Sequence, residues 1–549
     1  MTETINDKEF LKEKKENIEL LLAKYKSHPY MFQRLEYHLS SLENVLENEK
    51  KSYEKRVERI NFLSQEQKIF VQVFLSKNRY YYLPNNNCYY YYNGKHYISV
   101  KEDDIQCKLL TEISKDKTLC QWKYKTNNNI LKQIKERHLF NSVPESETIQ
   151  YIIKSLFPLL FKSKQEVKYF LTILGDNLLK KHSNLFFLTK HNSKNIFAEL
   201  DNIAYITTGL TNITSNFFTK YHETYDYSCC RLLNINDVSS IEQQVKDIIK
   251  KNGLDILCVA AHYSMRNIDS DTFIETNGDE DFKNYVFYLK NNDKMQIVEK
   301  FCEYSLMEMV NLEETLVDHT EKKAPKNKQF TMTWKNMHFI WKYYISQMSF
   351  PNMIYSQQLK TILQEKYNYD EKMDCFLDVT SKYLPIVADF IMFWERNMMT
   401  TVDEFTEFDY ELENDEICKL FKLWVQKNKD ECLSNGIINE NDIIKILSHF
   451  YPNVDIVERK YIMNISCSLW DKVNDITISL DEFKKQHVFD PTEEVTLIDF
   501  DKLYNYYCHF NVKDKYFKVS KRFFEKYICY SLSDYIEYDS FLSTMWISS

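Results

Sequence analysis

Between residues 29 and 60 the apolar positions fall at alternating steps of three and four. They are Phe32, Leu35, Leu39, Leu42, Leu46, Tyr53, Val57 and Ile60. Such spacing confines them to a narrow stripe on one helix face. It predicts a helix starting at Pro29 and running to about Arg59, within a helical hairpin region over 1–78. The stripe suits either a core of the same chain or an oligomerisation seam.

The period changes at residue 79. Tyr80 to Tyr82 and Tyr89 to Tyr92 flank an Asn-rich turn. Asn93-Gly94 has the chemistry of a type I′ hairpin turn leading into His96–Val100. The expectation is a three-stranded meander with one buried and one wet face, or with its tyrosines offered as a base-stacking platform. Lys101-Glu102-Asp103-Asp104 opens a helix with carboxylates at its positive end. Further helices are expected at 126–138 and 145–160, which closes a second region at 79–164.

Residues 165–315 read as mixed α/β. A helix over 165–181 precedes an apolar strand, Leu185–Leu188. A loop and helix, a strand at Arg231–Ile235 and a buried helix at Leu254–His262 follow. The stretch 316–330 is a polar, Lys-rich linker containing Pro325. Residues 331–490 are expected to form a helical domain. Within it, 402–417 carries eight acids and no Lys or Arg. That run suits a solvated loop, a nucleic-acid mimic or a segment docked on a basic patch. Residues 491–549 read as a winged-helix-like module: helix, helix, then strand. No repeat of fixed period is visible. The fold class is mainly α with small β elements, α+β and multidomain.

Composition narrows the chemistry. Only 6 of 549 residues are glycine, where average usage of about 7% would give roughly forty. Phosphate-cradling loops need glycine for close backbone approach. No two of the six spell G-x-G-x-x-G or a Walker-type loop, so a phosphate-loop enzyme is not expected and no cofactor is implied. The 40 Tyr and 36 Phe, with abundant Lys, Asn and Ile, match AT-rich coding. The 13 cysteines are scattered without a C-x-x-C, as in a reducing compartment. The charged N-terminus has no apolar signal core, and no apolar run approaches 18 residues. An intracellular, non-membrane location is expected.

Net charge is −9, yet three stretches each net +5: 107–140, 161–195 and 320–345. Lysines there suit phosphate contacts, with solvated helix faces as the plain alternative. Trp122-Lys123-Tyr124-Lys125 interleaves aromatics with cations, as single-strand grooves do. Cys258 and His262 stand at i, i+4, a spacing open to zinc ligation or a nucleophile–base pair. Their apolar surroundings favour a buried core pair. Cys229-Cys230 suits packing.

Tyr89-Tyr-Tyr-Tyr-Asn-Gly-Lys-His-Tyr-Ile98, the acidic helix start Lys101–Ile105 and Phe170-Leu-Thr-Ile-Leu-Gly-Asp-Asn-Leu-Leu179 occur in this order. Together they resemble the poxvirus-type primase-helicase family of large DNA viruses. By that resemblance Leu185–Leu188 enters the family's nucleotide loop, and the helix pair around Leu503–Phe510 and Val519–Ile528 is its winged-helix tail. Where the family has a Gly-rich loop ending in Asn-Gly-Lys-Ser, this chain reads Thr189-Lys-His-Asn-Ser-Lys-Asn195. Lys194 stands in the phosphate lysine's place without a glycine around it. Asn202–Gly209 offers no paired acids for Mg²⁺. The resemblance implies a degenerate, non-hydrolysing relative. Candidate phosphate contacts are Lys123, Lys125, Lys132, Lys190 and Lys194, with Trp122 and Tyr124 stacking bases. The expected partners are DNA or RNA and replication or virion proteins, with oligomerisation through the N-terminal helices. The other reading is a structural interaction protein without nucleic-acid binding.

Overall fold

The computed structural model describes residues 7–115, 118–181, 184–222, 225–239, 241–308, 331–401, 408–487, 497–510 and 517–548. Helix α1 (Asp7–Tyr25) turns into α2 (Pro29–Lys77). Pro at the first turn of α2 gives up no intrahelical hydrogen bond. At 49 residues α2 is longer than the periodicity predicts, spanning about 74 Å at 1.5 Å per residue. Only its end is anchored, through Leu63, Val71, Phe74 and Leu75. Leu42, Leu46, Tyr53 and Ile60 are exposed, so the middle of the stripe has no cover in the monomer.

Strands β1 (Arg79–Leu83), β2 (Cys88–Tyr92) and β3 (Tyr97–Val100) form the expected antiparallel meander. Neither face is wet. Strand alternation sends Tyr80 and Tyr89 to a core with α2, α3 (Glu102–Lys115) and α4 (Lys123–Lys135). Tyr90, Tyr92 and Tyr97 enter the next core. Those five rings are buried and cannot serve as a base-stacking platform, while Tyr81, Tyr82 and Tyr91 are half-buried. The Asn93-Gly94 turn also differs from expectation. Only Gly94 has positive φ, and the Asn93 side chain accepts from Lys95 N and His96 N. The left-handed asparagine is Asn87, in the preceding turn.

Helices α5 (Ser146–Leu156), α6 (Lys164–Leu178), α7 (Lys194–Thr208) and α8 (Glu242–Arg266) build the second core. Two of the scarce glycines serve helix crossings there. A Cβ on Gly175 of α6 would lie 2.0 Å from Ala260 O, and one on Gly253 would lie 2.0 Å from Ile203 Cγ2. A parallel sheet of order β5-β4-β6 closes this core: β4 (Phe186–Leu188), β5 (Phe217–Phe218) and β6 (Cys230–Leu232). Phe187 and Phe217 face the helices, while Leu188, Cys230 and Leu232 belong to the third core. Helices α9 (Ser270–Asn277), α10 (Glu280–Val286), α11 (Tyr288–Asn291) and α12 (Lys294–Ser305) follow, then β7 (Met307–Glu308). The linker read at 316–330 lies outside the described residues.

From residue 331 one topology occurs three times: strand, helix, helix, two-stranded hairpin. The first copy is β8 (Thr331–Thr333), α13 (Trp334–Gln347), α14 (Ser356–Lys366), β9 (Tyr369–Asp370) and β10 (Cys375–Leu377), followed by β11 (Val379–Thr380). After α15 (Leu384–Asn397) and β12 (Met398–Thr400) comes the second: β13 (Glu411–Glu413), α16 (Asn414–Lys427), α17 (Glu440–Phe450), β14 (Ile456–Val457) and β15 (Tyr461–Met463), then β16 (Ile465–Cys467). After α18 (Lys472–Gln486) comes the third: β17 (Leu497–Asp499), α19 (Phe500–Phe510), α20 (Lys521–Ser531), β18 (Ile536–Glu537) and β19 (Phe541–Ser543), then α21 (Met545–Ser548). In each copy the last strand lies between the other two. An additional two-stranded pair flanks each of the first two copies, β7 with β11 at the first and β12 with β16 at the second. The stretch read as wholly helical, 331–490, thus carries small sheets of two- and three-residue strands.

From Glu411 onward the acidic run is not a solvated loop, though Asp409 before it is exposed. Glu411, Glu413 and Glu416 are buried in β13 and the start of α16. Lys472 Nζ sits 3.0 and 2.8 Å from the two Glu416 oxygens, and Arg522 and Lys526 of α20 flank Glu411. Residues 402–407 of the run lie outside the described residues.

Candidate nucleic-acid interface

Trp122 ends a short 3₁₀ turn, Cys120–Trp122, that leads into α4. Gln67 Nε2 donates to Thr126 Oγ1 at 3.0 Å, fixing α4 against α2. Lys125 Nζ stands 3.9 Å from the centroid of the half-buried Trp122 ring. The indole face is thus already occupied by a cation. Tyr124 is 77% exposed, Lys123 is half-buried, and Lys125 and Lys132 are exposed. Lys125 and Lys132, seven apart, share one face of α4.

Lys190 and Lys194 belong to a different place, the loop between β4 and α7. This is the carboxyl edge of a parallel sheet, where open α/β folds bind ligands. Here the loop is closed on itself. Ser193 Oγ donates to Lys190 O at 2.7 Å and lies 2.5 Å from Thr189 Oγ1. Ser193 N and Lys194 N donate to Lys190 O and His191 O. The amides of Ser193 and Lys194 are thus engaged with the loop's own carbonyls rather than free for a phosphate. Burial pushes the Lys190 ammonium toward its neutral form, and nearby Lys162 adds to this against Asp237. Lys194 is exposed in the first turn of α7. Asn202–Thr208 completes that helix, and Gly209 caps it at φ +71°.

A contact not expected from sequence adjoins the loop. Asn192 Nδ2 donates to Asp237 Oδ1 at 2.9 Å, while Arg459, in the β14–β15 turn, donates to Asp237 Oδ2. Burial works against the Asp237 carboxylate, but hydrogen bonds from Ser239 and Asn192 and the charge of Arg459 outweigh it and hold its pKa at about 2. The second βααββ unit is thereby clasped to the loop after β4. Among the described residues, no hydrogen bond or ion pair links the Trp122 cluster to the Lys190 loop.

Cys258 is fully buried in α8, and burial raises its thiol well above the ordinary value. Burial lowers His262. Among the described residues no His/Cys/Asp/Glu group has the arrangement of a metal site. No described helix is long and apolar enough to cross a membrane. No family model matches the chain, and neither the curated proteins nor the solved structures include a significant match.

Proposed function

We propose that this chain is a non-catalytic scaffold associated with nucleic acid, a degenerate relative of the poxvirus-type primase-helicases that forgoes ATP hydrolysis. One observation carries the reading. The central strand of a parallel sheet, β4, passes into α7 through a glycine-free loop whose hydroxyls and carbonyls bond one another. The tyrosine meander precedes this sheet, as in the family. The three C-terminal units fit a winged-helix reading, since helix, strand, helix, helix and hairpin recur with the first and last strands paired.

These modules do not suit reading of a duplex groove by their third helices. In the second unit α17 packs on α13, with the His449 and Phe339 ring centroids 5.4 Å apart. In the third unit Arg522 and Lys526 of α20 are engaged with Glu411, and Phe523 packs on Phe408. In these two units the helices that would enter a groove instead join neighbouring units, which is what a scaffold requires.

The test is anisotropy titration of labelled single-stranded and duplex DNA and RNA, with and without Mg-ATP, beside calorimetry of ATP itself. Salt-dependent strand binding without ATP binding supports the reading. ATP turnover overturns it. A second reading, assembly without nucleic acid, is favoured by the exposed apolar positions along α2. Light scattering addresses it: a monomer at high concentration removes it.

A further inference from the structure

A cavity of about 480 Å³ opens between α13 of the first βααββ unit and α17 of the second. Its size lies within the roughly 300–1,000 Å³ of small-ligand clefts. Its floor is Phe339, Tyr343, Ile444 and Ile456, and its rim carries Lys342, Lys445 and Arg459. The three cations come from α13, α17 and the β14–β15 turn, so the tertiary fold alone brings them together. Lys342 belongs to the basic stretch 320–345.

The charges are incompletely matched. Lys445 pairs with Asp442 at 3.2 Å and Arg459 with Asp237. No carboxylate pairs with Lys342 among the described residues. Its polar contact is His449 Nδ1 at 3.4 Å. His449 Nε2 donates to Lys335 O at 2.9 Å, leaving Nδ1 as an acceptor. The ammonium of Lys342 therefore keeps spare donors at the cavity mouth, although partial burial lowers its pKa. Glu458, the acid beside Arg459 in the turn, acts on Arg522 of the third unit.

An apolar, partly aromatic floor beneath a rim with one cation unmatched by a carboxylate, Lys342, fits a flat ring joined to a phosphate. A second cavity of about 200 Å³ shares Phe339 and Tyr343 in its lining and lies beside Tyr383 and Ile437. Two neighbouring hollows suit a chain of such units better than one closed-in molecule. We propose that this groove binds single-stranded nucleic acid, one base packing against the half-buried Tyr343, Ile444 and Ile456 beside Lys445 and its phosphate meeting Lys342. Arg459 connects the groove to the loop holding Lys190. A duplex keeps its bases stacked and paired, so it cannot place one on the floor. The proposal rests on the nucleic-acid reading above and specifies where the strand lies.

The experiment uses the full chain with labelled 20-mers of deoxythymidine or uridine, a matching duplex and free thymidine monophosphate. Lys342→Glu changes an exposed rim residue, and Ser448→Trp fills the cavity from another exposed position. Each is expected to weaken strand binding at least tenfold, and Lys342→Glu to reduce the salt slope by about one. A 5-iodouracil strand is expected to crosslink to Tyr343. Unchanged affinity in both variants, with crosslinks elsewhere, overturns the groove while leaving the nucleic-acid reading intact. Binding of thymidine monophosphate without strand binding overturns the strand as occupant. Absence of any strand binding at low salt overturns both.

Discussion

Lys472 and Glu416 form an ion pair that is almost wholly buried, with 3% and 6% of their side chains exposed. The pair joins α18, which leads into the third βααββ unit, to α16 of the second. Lys472 Nζ also donates to Glu411 O at 3.2 Å and lies 4.2 Å from the Phe523 ring centroid of α20. Removing one partner strands the other charge in the core. Lys472→Met is expected to destabilise the C-terminal region by about 3–5 kcal/mol, and adding Glu416→Leu to recover most of that. Urea unfolding of both variants checks this, and equal loss in both would contradict it.

Stability should fall on acidification below neutrality because of His338. Burial, aided by Lys342 and His449, lowers its pKa to about 4. The unfolded chain, with an ordinary value near 6.5, then binds more protons through that interval. The contribution of this residue is complete above about pH 6.5 and is lost as pH falls toward 4. Melting temperatures from pH 7.5 to 4.5 should decline, and His338→Phe should flatten the decline. An unaltered slope would remove His338 as its source.

Gly175→Ala places a Cβ against the Ala260 carbonyl, which cannot yield as a flexible side chain would. It should lower the melting temperature far more than Gly209→Ala, which costs about 1–2 kcal/mol for its left-handed backbone. The reverse order would mean that the α6–α8 contact is looser than described.

Lys190→Ala with Lys194→Ala should weaken strand binding and flatten its salt dependence, because both cations border the clasped loop. Lys125→Ala should matter less to any phosphate contact than to Trp122, whose ring it covers. Anisotropy over a salt series separates these. Equal effects from the two sites would restore α4 as a principal contact.

Long elements were legible where one period persisted: α6 and the tyrosine meander were expected near their observed positions, while α2 was expected only to about Arg59 and α8 only over Leu254–His262, short of Glu242–Arg266. The second face of the meander was missed because tyrosine is compatible with both burial and water, so its pattern does not say which. The first two βααββ units, and the opening strand of the third, were missed for a different reason. Their strands are two or three residues long, too short for alternation to register. Their hairpin turns also lack the usual Asn-Gly signal. Glu458-Arg459 and Tyr538-Asp539 take positive φ instead. The acidic run deceived because its neutralising partners, Lys472, Arg522 and Lys526, lie far away in sequence. The groove cations Lys342, Lys445 and Arg459 were hidden likewise, and only the basic stretch 320–345 pointed there.

Fluorescence anisotropy of the full chain with a single-stranded 20-mer, across a salt series and with and without Mg-ATP, tests the central claim most directly. A non-hydrolysing scaffold associated with nucleic acid predicts binding that weakens steeply with salt and does not respond to ATP. Binding absent even at low salt, or binding that requires ATP, would contradict it.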